Sequence, residues 1–294
     1  MTKILVVGAS GMLGFALHRS LTDQGYEVCG TVRELRAPKS RWTSGLHYKT
    51  GVDVSDLDMV RRAVEQFGAS HVINAAGVIK QVAAVKDESA LFRINSAFPR
   101  RLEQAGECDG FRLLHFSTDC VFAGNKGGYR ETDIPDADDA YGVSKLLGEV
   151  GKSALTLRTS IIGLGLVPNA SLVDWFLGQS GTVRAFHRAF FTGLPVNAIA
   201  RFIGQDLLPK APELTGLFHL AAPKIDKASL LALVARCWGL DVTLAPDDSL
   251  RIDRSLSSSK LQAAVPHDVA DWPALIDEMH DFYMALGSRA TENG

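Results

Sequence analysis

Three short segments of this sequence carry residues whose types and spacing suit chemistry on a bound nucleotide. The first is a GxxGxxG turn between an apolar run and a helical pattern. Its members are Gly8, Ala9, Ser10, Gly11, Met12, Leu13 and Gly14. A helix N-terminus offers unpaired N–H groups and partial positive charge to a phosphate, and glycines let the backbone approach it. A glycine motif alone is weak evidence, but this strand–turn–helix context favours dinucleotide binding over an ordinary tight turn.

The second segment pairs a phenol with an ammonium group. Tyr141 and Lys145 are four residues apart, which places them on one face of a helix. A phenol, with a pKa of about 10, is a poor acid–base group at neutral pH unless a cation lies beside it. We therefore expect Lys145 to lower the pKa of Tyr141, so that Tyr141 can act as a general acid. Taken alone, the same spacing also occurs on solvated helix faces.

The third segment, residues 116–122, ends an apolar run that is typical of a strand. Ligands of open α/β sheets bind at the carboxyl edge of the strands. The hydroxyl of Thr118 is therefore expected to hydrogen-bond the carbonyl oxygen that Tyr141 protonates, although a turn-capping role is the alternative. The order of the three segments favours a catalytic set of Thr118, Tyr141 and Lys145.

The elements that must position these residues alternate between strand and helix patterns in the first half of the chain. This alternation predicts an α/β fold, a Rossmann-type doubly wound parallel sheet with a smaller C-terminal substrate-binding lobe. Predicted strands cover residues 3–8, 26–32, 46–50, 71–75, 112–117 and 154–158, and predicted helices cover 12–24, 56–67, 88–105 and 141–152. The predicted units are an NAD(P)-binding domain (1–160), a lobe with segments returning to the sheet (161–286) and a tail (287–294).

The composition excludes several classes of protein. The net charge of −2 and the absence of a basic run argue against nucleic-acid binding. The four cysteines show no CxxC spacing, and the eight histidines form no ligand pair, so neither disulfides nor a metal site are expected. No stretch is long enough to span a bilayer, so no membrane association is expected. We expect a cytoplasmic protein, and a homodimer by default, because most soluble oligomers are two-fold symmetric.

The motifs GASGMLG, NAAG at 74–77, STDCVF and YGVSK resemble the extended short-chain dehydrogenase/reductase superfamily. Within it, STD-x-VF followed by YGVSKLLGE is similar to the dTDP-4-dehydrorhamnose reductase group, as is the segment 253–261. The resemblance covers nearly the whole chain and is specific through residue 160. It implies hydride transfer from a nicotinamide and a sugar-nucleotide site in the C-terminal lobe. It also implies that Tyr141 is the acid, that Lys145 is its electrostatic partner and ribose ligand, and that Thr118 orients the ketone.

The second strand suggests which nicotinamide binds. NAD enzymes usually place a carboxylate at its tip, whereas Arg33 stands here and suits a 2′-phosphate. NADP is therefore favoured, and NAD stays open because Glu34 follows. Asp53 matches the superfamily's adenine contact, and Ser55 suits the alternative role of helix cap better. The predicted cofactor-binding residues are Gly8, Ser10, Gly11, Met12, Leu13, Gly14, Arg33, Asp53, Val54, Ala75, Ala76, Gly77, Asn95, Tyr141 and Lys145.

Two positions depart from the reductase group. Cys120 stands where that group usually has a tyrosine, and Ile161 stands where it has a tryptophan. Both aromatic side chains are expected to touch the sugar in that group, so the identity of the sugar is left open. Dehydration is disfavoured because related dehydratases carry a glutamate at position 120. The predicted substrate-binding residues are Asp119, Cys120, Asn169 and Arg188.

These observations favour an NADPH-dependent reductase of a nucleotide-linked 4-keto sugar, with hydride transfer to the C4 ketone and Tyr141 as proton donor. One alternative is a nucleotide-sugar epimerase that retains NAD(P) through both hydride steps. Another is a catalytically silent NADP-binding regulatory subunit. The complete set of Thr118, Tyr141 and Lys145 argues against that last alternative, whereas Cys120 and Ile161 leave it open.

Overall fold

A parallel sheet with helices on both faces organises the protein, whose computed structural model describes residues 2–34, 40–78, 88–166 and 171–288. The strands of these residues are β1 (Lys3–Val7), β2 (Glu27–Thr31), β3 (His47–Lys49), β4 (His71–Asn74), β5 (Arg112–Thr118), β6 (Leu155–Thr159), β7 (Ile161–Ile162), β8 (Gly181–Phe186), β9 (Ala189–Phe191), β10 (Leu194–Pro195), β11 (Gly216–His219), β12 (Ile225–Asp226), β13 (Val242–Asp247) and β14 (Ile252–Asp253). The α-helices are α1 (Met12–Asp23), α2 (Ser40–Thr43), α3 (Leu57–Phe67), α4 (Glu88–Phe92), α5 (Phe98–Asp109), α6 (Ala140–Leu147), α7 (Leu172–Leu177), α8 (Val196–Phe202), α9 (Leu208–Lys210), α10 (Lys227–Trp238), α11 (Ser259–Ala264) and α12 (Trp272–Ser288). A 3-10 turn lies at Asp119–Val121, and π-helical turns lie at Arg93–Ala97 and Ile203–Leu207.

Seven strands form the central sheet in the order β3-β2-β1-β4-β5-β6-β11, and every neighbouring pair is parallel. This is the order of a dinucleotide-binding sheet, in which the strand order reverses between β1 and β4. The predicted doubly wound sheet is confirmed. All six predicted strands agree with β1 to β6 to within one residue at each end. The seventh strand, β11, is a segment of the C-terminal half that returns to the sheet.

The residues of β1 show why this sheet is buried on both faces. Ile4 and Val6 face one hydrophobic core, together with α1, whereas Leu5 and Val7 face a second core, together with α3 and α5. All four side chains are completely buried. Successive side chains of a strand point to opposite faces, so a continuous apolar run is typical of a parallel strand covered by helices on both sides.

The helix that carries Tyr141 is shorter than predicted. Asp139 caps its start, since the carboxylate accepts a hydrogen bond from the N–H of Gly142 at 2.8 Å. The helix ends at Leu147, so the prediction of a helix over residues 141–152 is wrong beyond that point. Gly148 follows, which disfavours further helix. It packs so closely against the carbonyl oxygen of Asn95 that a Cβ at this position would overlap it.

The start of α3 corrects a second expectation. Asp56 caps this helix by accepting the N–H of Asp58 at 3.0 Å, so the expectation that Ser55 is the cap is wrong. Ser55 instead donates its own N–H to the carboxylate of Asp53 at 2.8 Å. Aspartate side chains compete effectively for backbone N–H groups two residues ahead, and this one organises the turn before α3.

The C-terminal half contributes both small sheets and helices of the main layer. β8 pairs with β13, and β9 lies between β12 and β14. By contrast, α8 packs against α1, and α12 packs on α8, so these helices cover the central sheet. The domain boundary at residue 160 therefore stays a prediction. Helix α12 takes in the first two residues of the predicted tail, and residues 289–294 lie outside the described part.

None of the described helices combines the length and the apolar composition needed to cross a membrane. Within the same residues, no group of three or more histidine, cysteine or carboxylate side chains is arranged to hold a metal ion. The cysteines Cys29, Cys108, Cys120 and Cys237 are free thiols. The cytoplasmic location and the homodimer stay predictions.

The connection from α6 to β6 depends on one carboxylate, which makes it testable. Oε1 of Glu103 on α5 accepts four backbone N–H groups of residues 151–154 at 2.9–3.2 Å. We expect Glu103→Ala to lower the free energy of unfolding by about 1–3 kcal/mol, because several part-buried donors lose their acceptor. Glu107→Ala on the same helix is the control, since the exposed Glu107 interacts with the side chains of Lys152 and Ser153 rather than with these backbone N–H groups. Equal stability of both variants in urea unfolding would contradict this interpretation.

Candidate active site

The glycine turn after β1 is packed too tightly for side chains. Gly8 has a φ of 82°, and a Cβ there would lie 2.8 Å from the backbone of Ala76. A Cβ at Gly14 would overlap the carbonyl oxygen of Gly8, whereas the N–H of Gly11 donates to that oxygen at 3.0 Å. Helix α1 begins directly after Gly11, which provides no side-chain cap. No side chain of the turn therefore covers the first N–H groups of α1. These groups are suited to bind the diphosphate of the implied dinucleotide.

The predicted cofactor residues around this turn lie together at the carboxyl edge of the sheet. Ser10 and Gly11 are exposed, Met12 is half-buried, and Leu13 is part of the core below them. The loop after β4 brings Ala75 and Ala76 beside the turn. The backbone of these two loops thus forms the floor of one crevice between β1 and β4.

Arg33 and Asp53 are brought close together at the tip of β2. The side chain of Arg33 is exposed, and its carbonyl oxygen accepts the N–H of Gly51 at 3.0 Å. The pKa of Asp53 is lowered by the hydrogen bond from the backbone of Ser55, and the charge of Arg33 adds to this effect. Val54 packs against the second core. The tip of β2 therefore presents the guanidinium of Arg33, which suits a phosphate, and the carboxylate of Asp53 lies beside it in the turn before α3.

Thr118 and Tyr141 meet at the end of β5. Thr118 is the last residue of β5, and its hydroxyl interacts with the phenol of Tyr141, which lies in the first turn of α6. The pKa of Tyr141 is raised, chiefly by burial and further by the neighbouring Cys120 and Asp119. The expectation that Lys145 acidifies this phenol is thus wrong for the protein chain itself, because burial disfavours the phenolate. At neutral pH Tyr141 is fully protonated, which is the form that a proton donor requires.

Lys145 is buried below Tyr141, and its ammonium group donates to the carbonyl oxygen of Phe116 at 2.6 Å. Burial lowers the pKa of Lys145 to about 8, while the negative charge of Glu149 opposes this shift. The ammonium form therefore prevails at neutral pH. The charged group is held on β5, two residues before Thr118, and the catalytic role of Thr118, Tyr141 and Lys145 stays a prediction.

The residues that follow Thr118 also line this site. Burial raises the pKa of Cys120 to about 11, and the charge of Asp119 adds to the shift, so Cys120 is a neutral thiol rather than a base. Asp119 is itself buried, and burial raises its pKa while the charge of Arg254 opposes the rise. Arg254 donates from Nη1 to Sγ of Cys120 at 3.6 Å and from Nε to the carbonyl oxygen of Phe122 at 2.7 Å.

Arg254 lies beside Cys120 and outside the four predicted substrate-binding residues, since its sequence left it, like Arg251, between a diphosphate contact and a solvated loop. It lies in the C-terminal segment 253–261, whose resemblance to the reductase group was the signal that pointed to it. Asp253, its neighbour, accepts from Lys224 at 3.0 Å and is thereby tied to the surface of the small lobe. The segment brings a cation from the C-terminal half to the catalytic edge of the sheet.

Asn95 supports the site from behind. Its side-chain amide exchanges two hydrogen bonds with the backbone of Val78, at 2.9 and 3.0 Å, and donates to the hydroxyl of Ser144 at 3.1 Å. The side chain is fully buried. Although Asn95 was predicted to contact the cofactor, its amide instead joins the loop after β4 to the helix that carries Tyr141. A Cβ at Gly77 in that loop would lie 3.3 Å from this amide.

Arg188 is a predicted substrate residue that the structure does not bring to this centre. The guanidinium of Arg188 lies 3.5 Å from Asp248 in an exposed ion pair on the small lobe. Asn169 falls outside the described residues. Both assignments stay predictions, and the same holds for direct contacts between the other named residues and a ligand.

The sheet order and the glycine turn are those of the dinucleotide-binding fold that the sequence predicts. Comparison with known families is decisive, because the family described as "RmlD substrate binding domain" matches residues 1–237. The chain belongs to this family. The match includes every predicted cofactor and substrate residue and ends before Arg254.

Individual relatives of this RmlD-family chain share about a quarter to a third of its residues over about half of its length. A dTDP-4-dehydrorhamnose reductase of Aggregatibacter actinomycetemcomitans is 32% identical over 167 residues, 54% of this chain and 51% of the relative. The beta subunit of methionine adenosyltransferase 2 from Pongo abelii is 26% identical over 147 residues, 50% of this chain and 41% of that protein. The chain thus spans about half the length of the curated relatives it matches.

Among solved structures, a dTDP-4-dehydrorhamnose reductase of Bacillus anthracis in complex with NADP aligns with a TM-score of 0.78. It is 19% identical and covers 95% of this chain and 98% of its own. At this identity the likeness establishes the fold.

The glycine turn gives a direct test of nucleotide binding. We expect Gly14→Ala to weaken NADPH binding by about tenfold or more, equivalent to about 1.4 kcal/mol, because the new Cβ displaces the carbonyl of Gly8. Gly287→Ala is the control, since a Cβ added there would have no atom within 4 Å other than those of its own helix, α12. Fluorescence titration with NADPH measures both affinities. Unchanged affinity in Gly14→Ala would remove this turn from the binding site.

Proposed function

We propose that this protein is an NADPH-dependent reductase of a nucleotide-linked 4-keto sugar. The observation that carries the proposal is the contact of the half-buried, protonated phenol of Tyr141 with the hydroxyl of Thr118 at the end of β5, the strand to which the ammonium group of Lys145 is hydrogen-bonded at Phe116. The carboxyl edge of the strands is where ligands of doubly wound sheets bind. The names of the curated relatives support a nucleotide-sugar substrate.

The chain offers a residue for each part of the reduction. A bound nicotinamide supplies the hydride, and the glycine turn, Arg33 and Asp53 are suited to holding its diphosphate and adenosine portions. Tyr141 donates its phenolic proton to the ketone oxygen, while Thr118 hydrogen-bonds that oxygen and orients it. Lys145 stabilises the phenolate that Tyr141 becomes after donating its proton, because an adjacent cation favours the charged form. Proton donation to a developing alkoxide is general acid catalysis.

NADP is the proposed cofactor rather than NAD. Arg33 is exposed at the tip of β2 and is free to approach a 2′-phosphate. Asp53 lies beside it and already binds Ser55, so this carboxylate is partly engaged by the protein. A titration with both nucleotides distinguishes these cofactors.

The sugar pocket is proposed to lie over Cys120 and Arg254. Cys120 has a small neutral thiol where the dTDP-4-dehydrorhamnose reductase group usually has a tyrosine. This smaller side chain leaves room for a different substituent on the sugar. Within the described residues, Arg254 uses only Nε and Nη1 to donate hydrogen bonds to the protein. Its guanidinium therefore has capacity for an acceptor oxygen of the sugar nucleotide, with the strength of a charge-assisted hydrogen bond.

Replacement of Tyr141 by phenylalanine tests the proton donor. We expect turnover of a 4-keto sugar nucleotide to fall by about 10²- to 10⁴-fold, while the affinity for NADPH changes little. Tyr26→Phe is the control, because Tyr26 donates only to the carbonyl oxygen of Gly204 on the helical side. Steady-state rates and NADPH titrations measure both effects. Turnover at the normal rate in Tyr141→Phe would exclude this residue as the acid.

Arg254 and Arg251 form a matched pair for testing the substrate site. Both lie in one segment, but Arg251 is exposed whereas Arg254 reaches Cys120. We expect Arg254→Met to raise the KM for the sugar nucleotide by about tenfold, since a charge-assisted hydrogen bond contributes about 1.5–3 kcal/mol. Arg251→Met should leave the KM unchanged, and neither variant should alter NADPH affinity. An equal response of the two variants would contradict a substrate contact at Arg254.

A second candidate function follows from one relative that is named as a subunit of another enzyme. A regulatory subunit would bind NADPH, co-purify with a catalytic partner and show no activity on any keto sugar nucleotide. The epimerase alternative differs in stoichiometry, because an epimerase does not consume added NADPH. Consumption of one NADPH per sugar reduced supports the proposed reductase over both alternatives.

A further inference from the structure

A buried ion pair lies directly behind the catalytic residues. Arg158 on β6 is only 2% exposed, and its guanidinium holds Glu149 with two hydrogen bonds, Nε to Oε1 at 2.6 Å and Nη2 to Oε2 at 2.7 Å. Such a fork fixes both the position and the orientation of the carboxylate. Buried pairs are weak evidence for stability, because removing two charges from water is unfavourable. The question is therefore what this carboxylate does where it stands.

Glu149 and Lys145 form hydrogen bonds with consecutive residues of β5. The ammonium group of Lys145 donates to the carbonyl oxygen of Phe116 at 2.6 Å. The hydroxyl of Ser117, the next residue of β5, donates to Oε1 of Glu149 at 2.7 Å. The ammonium group of Lys145 and the carboxylate of Glu149 are thus anchored on consecutive residues of β5, just before Thr118.

The guanidinium of Arg158 also contacts a histidine of β11, the edge strand of the sheet. Nη1 of Arg158 lies 3.3 Å from Nε2 of His219 on β11, and Nδ1 of His219 lies 3.1 Å from the carbonyl oxygen of Tyr129. Burial lowers the pKa of His219, so the ring is neutral, with Nδ1 donating to Tyr129 and Nε2 accepting from Arg158. Arg158 therefore has a fixed partner on each side and cannot swing away from Glu149.

From this arrangement we infer that Glu149 is a positioning residue for catalysis: its carboxylate, fixed by Arg158 and Ser117, keeps Lys145 in the charged form beside Tyr141. The inference rests on the proposed function, since it assigns the role of Glu149 in the same reaction. Glu149 itself does not touch the reacting atoms.

The groups facing Lys145 show that Glu149 is its source of negative charge. Tyr141, on the same helix, is protonated. His115 on β5 is buried, and burial together with Lys145 holds its pKa well below the usual range, so it is neutral. Arg158 on β6 is a cation, and it would oppose the charge of Lys145 if Glu149 did not lie between them. Of the described groups, only Glu149 is identified as favouring the ammonium form.

The direction of the pH effect follows from the signs. Burial holds the pKa of Lys145 at about 8, below its ordinary value, and the charge of Glu149 opposes that shift. Without this charge the pKa falls further, so the ammonium group is lost at a lower pH. Activity should therefore fail first on the alkaline side, whereas the acidic side should be little changed.

The experiment compares Glu149→Gln with the wild-type protein in rate–pH profiles with NADPH and a 4-keto sugar nucleotide. We expect the alkaline limb of kcat to move down by about one pH unit, with about a tenfold loss of rate at alkaline pH. Below neutrality the loss should be small, and Glu149→Asp should restore most of the wild-type profile. The matched control is Asp109→Asn, because Asp109 holds Arg61 in an exposed fork with two bonds of 2.7 Å far from Lys145.

Two further measurements keep the test decisive. If Glu149→Gln does not fold because Arg158 is left unpaired, Glu149→Gln/Arg158→Met removes both charges, and Ser117→Ala removes only a hydrogen bond to the carboxylate. A uniform loss of rate at every pH in the variants that fold, or the same profile shift in Asp109→Asn, would overturn the inference.

The pH dependence of NADPH affinity, measured by fluorescence, does not need turnover. A wild-type protein that binds NADPH but reduces no sugar refutes the proposed function, whereas an unshifted binding profile in Glu149→Gln then refutes the role of Glu149.

Discussion

The structure depends on keeping one ammonium group charged inside the protein. Lys145 is almost fully buried, and burial alone favours its neutral form. The protein compensates with the carbonyl oxygen of Phe116 and the carboxylate of Glu149, and three strands of the sheet contribute to holding them. The sheet is therefore more than a scaffold for the site, since the order β5-β6-β11 brings Ser117, Arg158 and His219 together.

Burial acts in opposite ways on the two catalytic side chains, and both effects suit reduction of a ketone. It raises the pKa of Tyr141, so the phenol keeps the proton that it must donate. It lowers the pKa of Lys145 only to about 8, so the cation persists at neutral pH and is ready to stabilise a phenolate. On the other side of the switch point, the backbone of the glycine turn contributes positive partial charge without any side chain.

Much of this arrangement was readable from local sequence. The apolar runs of β1 to β6 and the spacing of Thr118, Tyr141 and Lys145 are local signals, and they predicted the sheet and the catalytic set. The roles of Glu149, Arg158 and His219 were not predictable, because Glu149 and Arg158 resemble ordinary charged positions in the sequence. The fold shows that this pair is buried and that His219, 61 residues after Arg158, contacts it. The early end of α6 depends on the contact of Gly148 with Asn95, which periodicity does not reveal. The reversed pKa shift of Tyr141 required knowledge of burial.

The central claim is that this crevice moves a hydride to a sugar ketone while Tyr141 supplies the proton. The most direct measurement is mass spectrometry of the product formed from NADPH deuterated at the transferred position. The account predicts one deuterium at the carbinol carbon of the reduced sugar and one oxidised cofactor for each product molecule. Recovery of an unlabelled sugar with no oxidised NADPH, under conditions in which the cofactor binds, would contradict it.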